Sequence, residues 1–119
     1  MLPPNPSNPS PLTDELQQRL ANIRQGFLTR LVGSVDQVDR AIAALRSGGD
    51  PAPVLDGIRA HLHRLAGTAS TMGFERLGSL AATVEQLILD DPRQVTPDLA
   101  AALHDFLTEA DEVMHRHDL

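Results

Sequence analysis

From Thr13 onward, apolar residues recur at steps of three and four, the spacing that stacks side chains on one face of an α-helix. The first such stripe contains Leu16, Leu20, Ile23, Phe27, Leu31, Val35, Val38, Ile42 and Leu45. Gly26 and Gly33 interrupt it, and glycine costs a helix interior about 1 kcal/mol relative to alanine. The spacing therefore predicts a break or kink near Gly26, with a short first helix and a longer second one that stops at Ser47-Gly48-Gly49.

Asp50-Pro51 reads as an N-cap followed by proline at the first helical position. The stripe behind it is Val54, Ile58, Leu62, Leu65, Ala69 and Met72. Gly73 then suits a left-handed C-terminal residue, with Phe74 placed to fold back as its hydrophobic contact. Leu77, Leu80, Ala81, Val84, Leu87 and Ile88 form the next stripe, which runs to the turn Asp90-Asp91-Pro92. Thr96-Pro97-Asp98 combines a cap, a first-turn proline and an acid at the positive end of the helix dipole. Leu99, Leu103, Phe106, Leu107, Ala110, Val113 and Met114 complete the last helix. Short connections between amphipathic helices lead to an all-α fold, an antiparallel four-helix bundle with an additional N-terminal helix covering one end.

The opening MLPPNPSNPSP has five prolines in eleven residues. Residues 1–12 are expected to be a disordered, Pro-rich lead-in, and residues 13–119 the folded domain. Composition agrees with a helical core: Tyr and Trp are absent and Phe occurs three times, so Leu, Ala, Val and Ile must fill the interior. A net charge of −6, with every basic residue an arginine, argues against nucleic acid as a partner. The absence of cysteine excludes disulfides and thiolate metal sites. No apolar run is long enough for a membrane span and no secretory signal opens the chain, so a cytoplasmic protein is expected.

The candidate chemistry lies on the second stripe. At about 100° per residue, His63 falls about 140° from the centre of the apolar arc and should face solvent, whereas His61 falls about 60° away, at the core boundary. The two imidazoles diverge too far to share one metal. Gly67 stands one turn after His63 on the same exposed face, where a missing side chain clears space for an approaching protein. Arg59 precedes His63 by one turn and Ser70 follows it by two, adding a cationic and a hydroxyl donor to the neighbourhood. An exposed histidine beside a clearing suits a phosphoryl acceptor. The competing interpretation is an incidental surface histidine beside a tolerated glycine.

The segment His63-Arg64-Leu65-Ala66-Gly67-Thr68-Ala69-Ser70-Thr71-Met72-Gly73-Phe74 resembles the histidine-containing phosphotransfer family, which includes the equivalent domain of chemotaxis kinases. The family pattern is His, any residue, an apolar residue, usually Lys, then Gly, with a second Gly six residues on. His63, Leu65, Gly67 and Gly73 match it, and the resemblance extends over roughly residues 13 to 117. Ala66 departs from it, standing where the family commonly has the lysine that helps neutralise the phosphoryl group. Arg59 or Arg64 could supply that charge, and Arg59 is favoured because Arg64 projects sideways.

The resemblance implies a monomeric phosphocarrier rather than an enzyme. His63 would exchange a phosphoryl group with aspartates of response-regulator receiver domains and would also meet sensor histidine kinases. It implies no cofactor on this chain, with Mg²⁺ supplied by the receiver. Two other readings carry less: a helical adaptor bundle whose His63 is never phosphorylated, supported by Ala66, and a metal protein using His61, His104, His115 and His117. The inward stripes are almost wholly apolar, unlike those of bundle metal sites. An autonomous histidine kinase is a poor reading, since the chain has no glycine-rich nucleotide motif and its length leaves no room for an ATP domain.

Overall fold

In the computed structural model, which describes residues 11–117, four helices follow one another: α1 (Pro11–Arg46), α2 (Pro51–Thr71), α3 (Glu75–Asp90) and α4 (Pro97–Arg116). Their boundaries follow the local chemistry. Asp50 accepts a hydrogen bond from the Ala52 N–H with Pro51 at the first helical position, and Thr96 Oγ1 accepts from the Leu99 N–H ahead of α4. Gly48 and Gly73 adopt φ values of 87° and 88°, the left-handed geometry that closes α1 and α2. After Gly73 the Phe74 N–H reaches back 2.8 Å to the Ala69 carbonyl, so the chain reverses into α3 within a few residues.

The expected additional N-terminal helix is not a separate element. Residues 11–46 form one continuous helix of 36 residues, so the fold is a bundle of four helices rather than four plus one. Gly26 removes a side chain but keeps its N–H, and a penalty of about 1 kcal/mol does not outweigh an uninterrupted hydrogen-bond ladder. A break needs a proline or a left-handed residue, and neither stands between Leu12 and Arg46. Of the lead-in expected over residues 1–12, positions 1–10 lie outside the described residues, and α1 begins at Pro11.

The apolar face of α1 is buried over only part of its length. Phe27, Leu28, Leu31 and Val38 belong to the core, but Leu16, Leu20 and Ile23, also expected there, are 54%, 58% and 50% exposed. The other three helices have 21, 16 and 20 residues and are too short to cover the upper part of α1. At 1.5 Å per residue α1 is about 54 Å long against about 31 Å for α2. The radius of gyration of 18.5 Å reflects this protrusion, since a compact chain of this size has roughly 13.5 Å.

The core itself is aliphatic with two fully buried phenylalanines, Phe27 and Phe106. Leu55, which the second stripe did not include, is fully buried, while Val54 is half-buried. Phe74 stacks on Phe27 with ring centroids 5.4 Å apart, tying the α2–α3 turn to α1. Among the described residues no helix is long and apolar enough to cross a membrane.

Candidate functional site

His63 stands on the outer face of α2, with two-thirds of its side chain exposed, while its neighbours Leu62 and Leu65 are buried. The helical spacing that buries the leucines therefore turns the imidazole outward, as the sequence predicts. One turn on, a Cβ added to Gly67 would meet nothing within 4 Å, so open space adjoins the ring.

The imidazole has one firm partner, and sequence reasoning did not find it. His63 Nδ1 lies 2.9 Å from Oε1 and 3.0 Å from Oε2 of Glu85 on α3. Glu85 is held against the bundle with 19% of its side chain exposed. An ionised carboxylate only accepts hydrogen bonds, so Nδ1 carries the proton and donates it to Glu85. Nε2 is then the ring nitrogen that keeps the lone pair when the imidazole is neutral.

Symmetry about the turn carried the missing signal. His63 and Glu85 lie eleven residues on either side of Phe74, the pivot between α2 and α3. Ser70 and Gly78, four residues on either side of it, also meet: a Cβ on Gly78 would come within 2.5 Å of Ser70 Oγ and 3.0 Å of the Ala66 carbonyl. Gly78 is buried, and its lack of a side chain allows α2 and α3 to approach closely. That approach brings Glu85 within reach of His63.

The other expected site residues divide between two faces. Ser70 is exposed on α2, with its hydroxyl oriented toward Gly78 of α3. Ala66 is half-buried, and its carbonyl also faces Gly78. Arg59 is engaged by Asp56, its Nε and Nη2 donating to Oδ1 over 3.0 and 2.9 Å, one turn toward the N-terminus and away from His63. Arg64 lines the groove between α1 and α2 with Arg30, Ser34, Gln37 and His61, on a different side from the Glu85 contact.

His61 sits at the core boundary, as its helical phase predicts. Its Nε2 shares a 2.8 Å hydrogen bond with Ser34 Oγ, the buried polar side chain of α1. Burial, and secondarily the charge of Arg64, hold His61 below the ordinary histidine value of 6.5. His117 packs edge-on against Phe74, and His104 lines a groove between α1 and α4. Among the described residues no three His, Cys, Asp or Glu side chains are grouped to hold a metal ion.

The family model of the Hpt domain matches residues 10–113, nearly the whole chain and all four helices. No curated protein and no solved structure matches the chain.

Proposed function

Because the chain belongs to the Hpt domain family, we propose that His63 is its phosphoacceptor and that the Glu85 contact prepares it for transfer. Hpt domains are phosphocarriers of two-component signalling, with receiver domains and sensor histidine kinases as partners. The single observation that carries the residue assignment is the pairing of an exposed imidazole with a fixed carboxylate at Nδ1.

The transfer follows from that pairing. Nε2 of His63 directs its lone pair at the phosphorus of a receiver's aspartyl phosphate. The N–P bond forms as the acyl P–O bond breaks, and the aspartate leaves as a carboxylate. The ring now bears positive charge, and the ionised Glu85 at Nδ1 offsets it. Running the same step backward loads another receiver. Mg²⁺ bound in the receiver would neutralise the phosphoryl oxygens during transfer. On this chain the work is positioning and electrostatics.

Gly67 provides the clearance for a receiver's approach. Arg59 is the candidate cation in place of the lysine that Ala66 replaces. It is held by Asp56 in the unphosphorylated protein, and a phosphoryl group, with its greater charge, would compete for it. A cytoplasmic setting fits this exchange with receivers.

Labelling tests the assignment. His63→Gln should abolish phosphoryl uptake from a phosphorylated receiver while the helical circular dichroism is retained. His61→Gln should keep most of the uptake. Undiminished labelling of His63→Gln would place the phosphoryl group on another residue.

A further inference from the structure

Every residue of α1 from Leu12 to Gln25 is exposed, and the first buried side chain is Phe27. This projecting stretch is not polar. Leu12, Leu16, Leu20 and Ile23 are 67%, 54%, 58% and 50% exposed. Their spacing puts all four within roughly 80° of arc on one side of the helix. The stretch continues the packed part of α1 but has no packed face of its own, and packing of an amphipathic face supplies most helical stability in proteins. An aliphatic stripe on such a helix calls for a partner that covers it.

We propose that this stripe pairs with the same stripe of a second copy of the chain, in antiparallel orientation. Leu16, Leu20 and Ile23 step by four and three, the a/d spacing of a coiled-coil seam, and Leu12 precedes them by one turn. The flanking charges select the orientation. Arg19 lies on one flank of the stripe and Arg24 on the other, and parallel helices bring opposite flanks together, setting Arg19 against the partner's Arg24. Antiparallel helices bring like flanks together, and Glu15 shares the flank of Arg19. With the two-fold axis midway between Gln17 and Gln18, Leu12 faces Ile23 of the other copy and the central leucines interleave. Arg19 then lies about one residue along the axis from the opposing Glu15 and about three from the opposing Arg19. Opposite charges meet and like charges stand farther apart.

The four side chains can bury roughly 600–800 Å² in total over both copies, less than the ~1,200 Å² of a standard stable interface. The pair is accordingly weak, with a dissociation constant on the order of tens to hundreds of micromolar. The segment lies outside the His63–Glu85 site, so the pairing does not depend on the proposed phosphoacceptor.

Sedimentation of the full chain from about 10 to about 500 µM, a range spanning that of a weak interface, tests the pairing. A monomer–dimer equilibrium is expected, with helicity rising as the dimer fills. Leu16→Glu with Leu20→Glu should weaken it more than ten-fold and leave phosphoryl uptake unchanged. Arg19→Glu should also weaken it, and mixing that variant with Glu15→Arg should restore association, because each supplies the charge the other has lost. A monomer throughout the range would overturn the proposal, as would a dimer indifferent to the double leucine replacement. Tighter association of Arg19→Glu would overturn the antiparallel arrangement, since in a parallel pair it would gain the partner's Arg24.

Discussion

Ser70 on α2 and Gly78 on α3 pass so closely that one methyl group on Gly78 would lie 2.5 Å from the serine hydroxyl and 3.0 Å from the neighbouring Ala66 carbonyl. The hydroxyl can rotate away; the carbonyl belongs to the α2 backbone and moves only with the helix. Gly67, on the same helix as Ser70, faces open space instead. The two glycines therefore differ, one admitting a helix and the other facing open space where a partner's approach is proposed.

Substitution should separate them. Gly78→Ala gains helix propensity but must push α2 and α3 apart, for a net loss of about 1 kcal/mol, or several degrees in melting temperature. Gly67→Leu should hold or raise the melting temperature, by up to about 1 kcal/mol in stability. Its phosphoryl uptake from a receiver should nevertheless fall sharply. Thermal melts and receiver-to-protein transfer on both variants check the contrast. Unimpaired uptake by Gly67→Leu would remove the clearance role.

The carboxylate at Nδ1 carries a second expectation. Glu85→Gln keeps an acceptor oxygen but loses the charge that offsets the phosphorylated ring. A charge-assisted hydrogen bond contributes about 1.5–3 kcal/mol. Discounted to about 1 kcal/mol for the exposure of His63, this is a transfer rate about five-fold lower. Rapid-quench transfer from a phosphorylated receiver, with circular dichroism to confirm the fold, measures it. An unchanged rate would leave Glu85 a surface contact only.

Helical phase made much of this site legible in the sequence. It turned His63 outward, set His61 at the core boundary and placed Gly67 beside the imidazole, while cap residues located the starts of α2 and α4. Two features escaped it for physical reasons. Periodicity tells which side of a helix is apolar but not how far the neighbouring helices reach, so Leu16, Leu20 and Ile23 looked like core and proved exposed. Nothing in the sequence alone singled out Glu85, because its partner lies across a helix seam whose register is set by the tight turn at Gly73-Phe74 and the close approach at Gly78.

Arg59 and Asp56 give a third expectation. Asp56→Asn weakens the pair that holds Arg59 away from His63, with Arg59 Nη2 now 2.9 Å from Asp56. The released guanidinium should lengthen the phosphohistidine lifetime severalfold at low salt and less at high salt, since the contact is partly exposed. Arg59→Ala should shorten that lifetime, and Ala66→Lys in the same background should restore part of it. Decay of the phosphorylated protein at two ionic strengths measures all three. Equal lifetimes for Arg59→Ala and the parent at low salt would assign the charge neutralisation to the receiver alone.

His61 contributes a pH dependence with a definite sign. Burial and Arg64 hold it below 6.5 in the folded protein, so the unfolded chain takes up its proton first as pH falls. Stability is therefore highest above the unfolded value and declines as pH drops through 6.5 toward the lower folded value. Comparing urea unfolding at about pH 7.5 and about pH 5.5, His61→Gln should show a smaller loss than the parent. Equal losses in the two proteins would assign the slope to other groups.

His63 and Glu85 are 22 positions apart in the chain, and everything between them is α2, one tight turn and α3. Closing a loop of that size costs little more entropy than closing one half as long. The pair of proposed phosphoacceptor and carboxylate thus forms as soon as one helical hairpin zips, without waiting for the more distant parts of the chain. Neither α1 nor α4 supplies an atom to it. Opening of the bundle from the α1 end would remove the stacking of Phe27 on Phe74, whereas the contacts of the Gly73-Phe74 turn and of Ser70 with Gly78 lie within α2 and α3. The slowest-exchanging amides should accordingly lie in α2 and α3, so that the His63–Glu85 contact outlasts partial unfolding of the helix that projects beyond it.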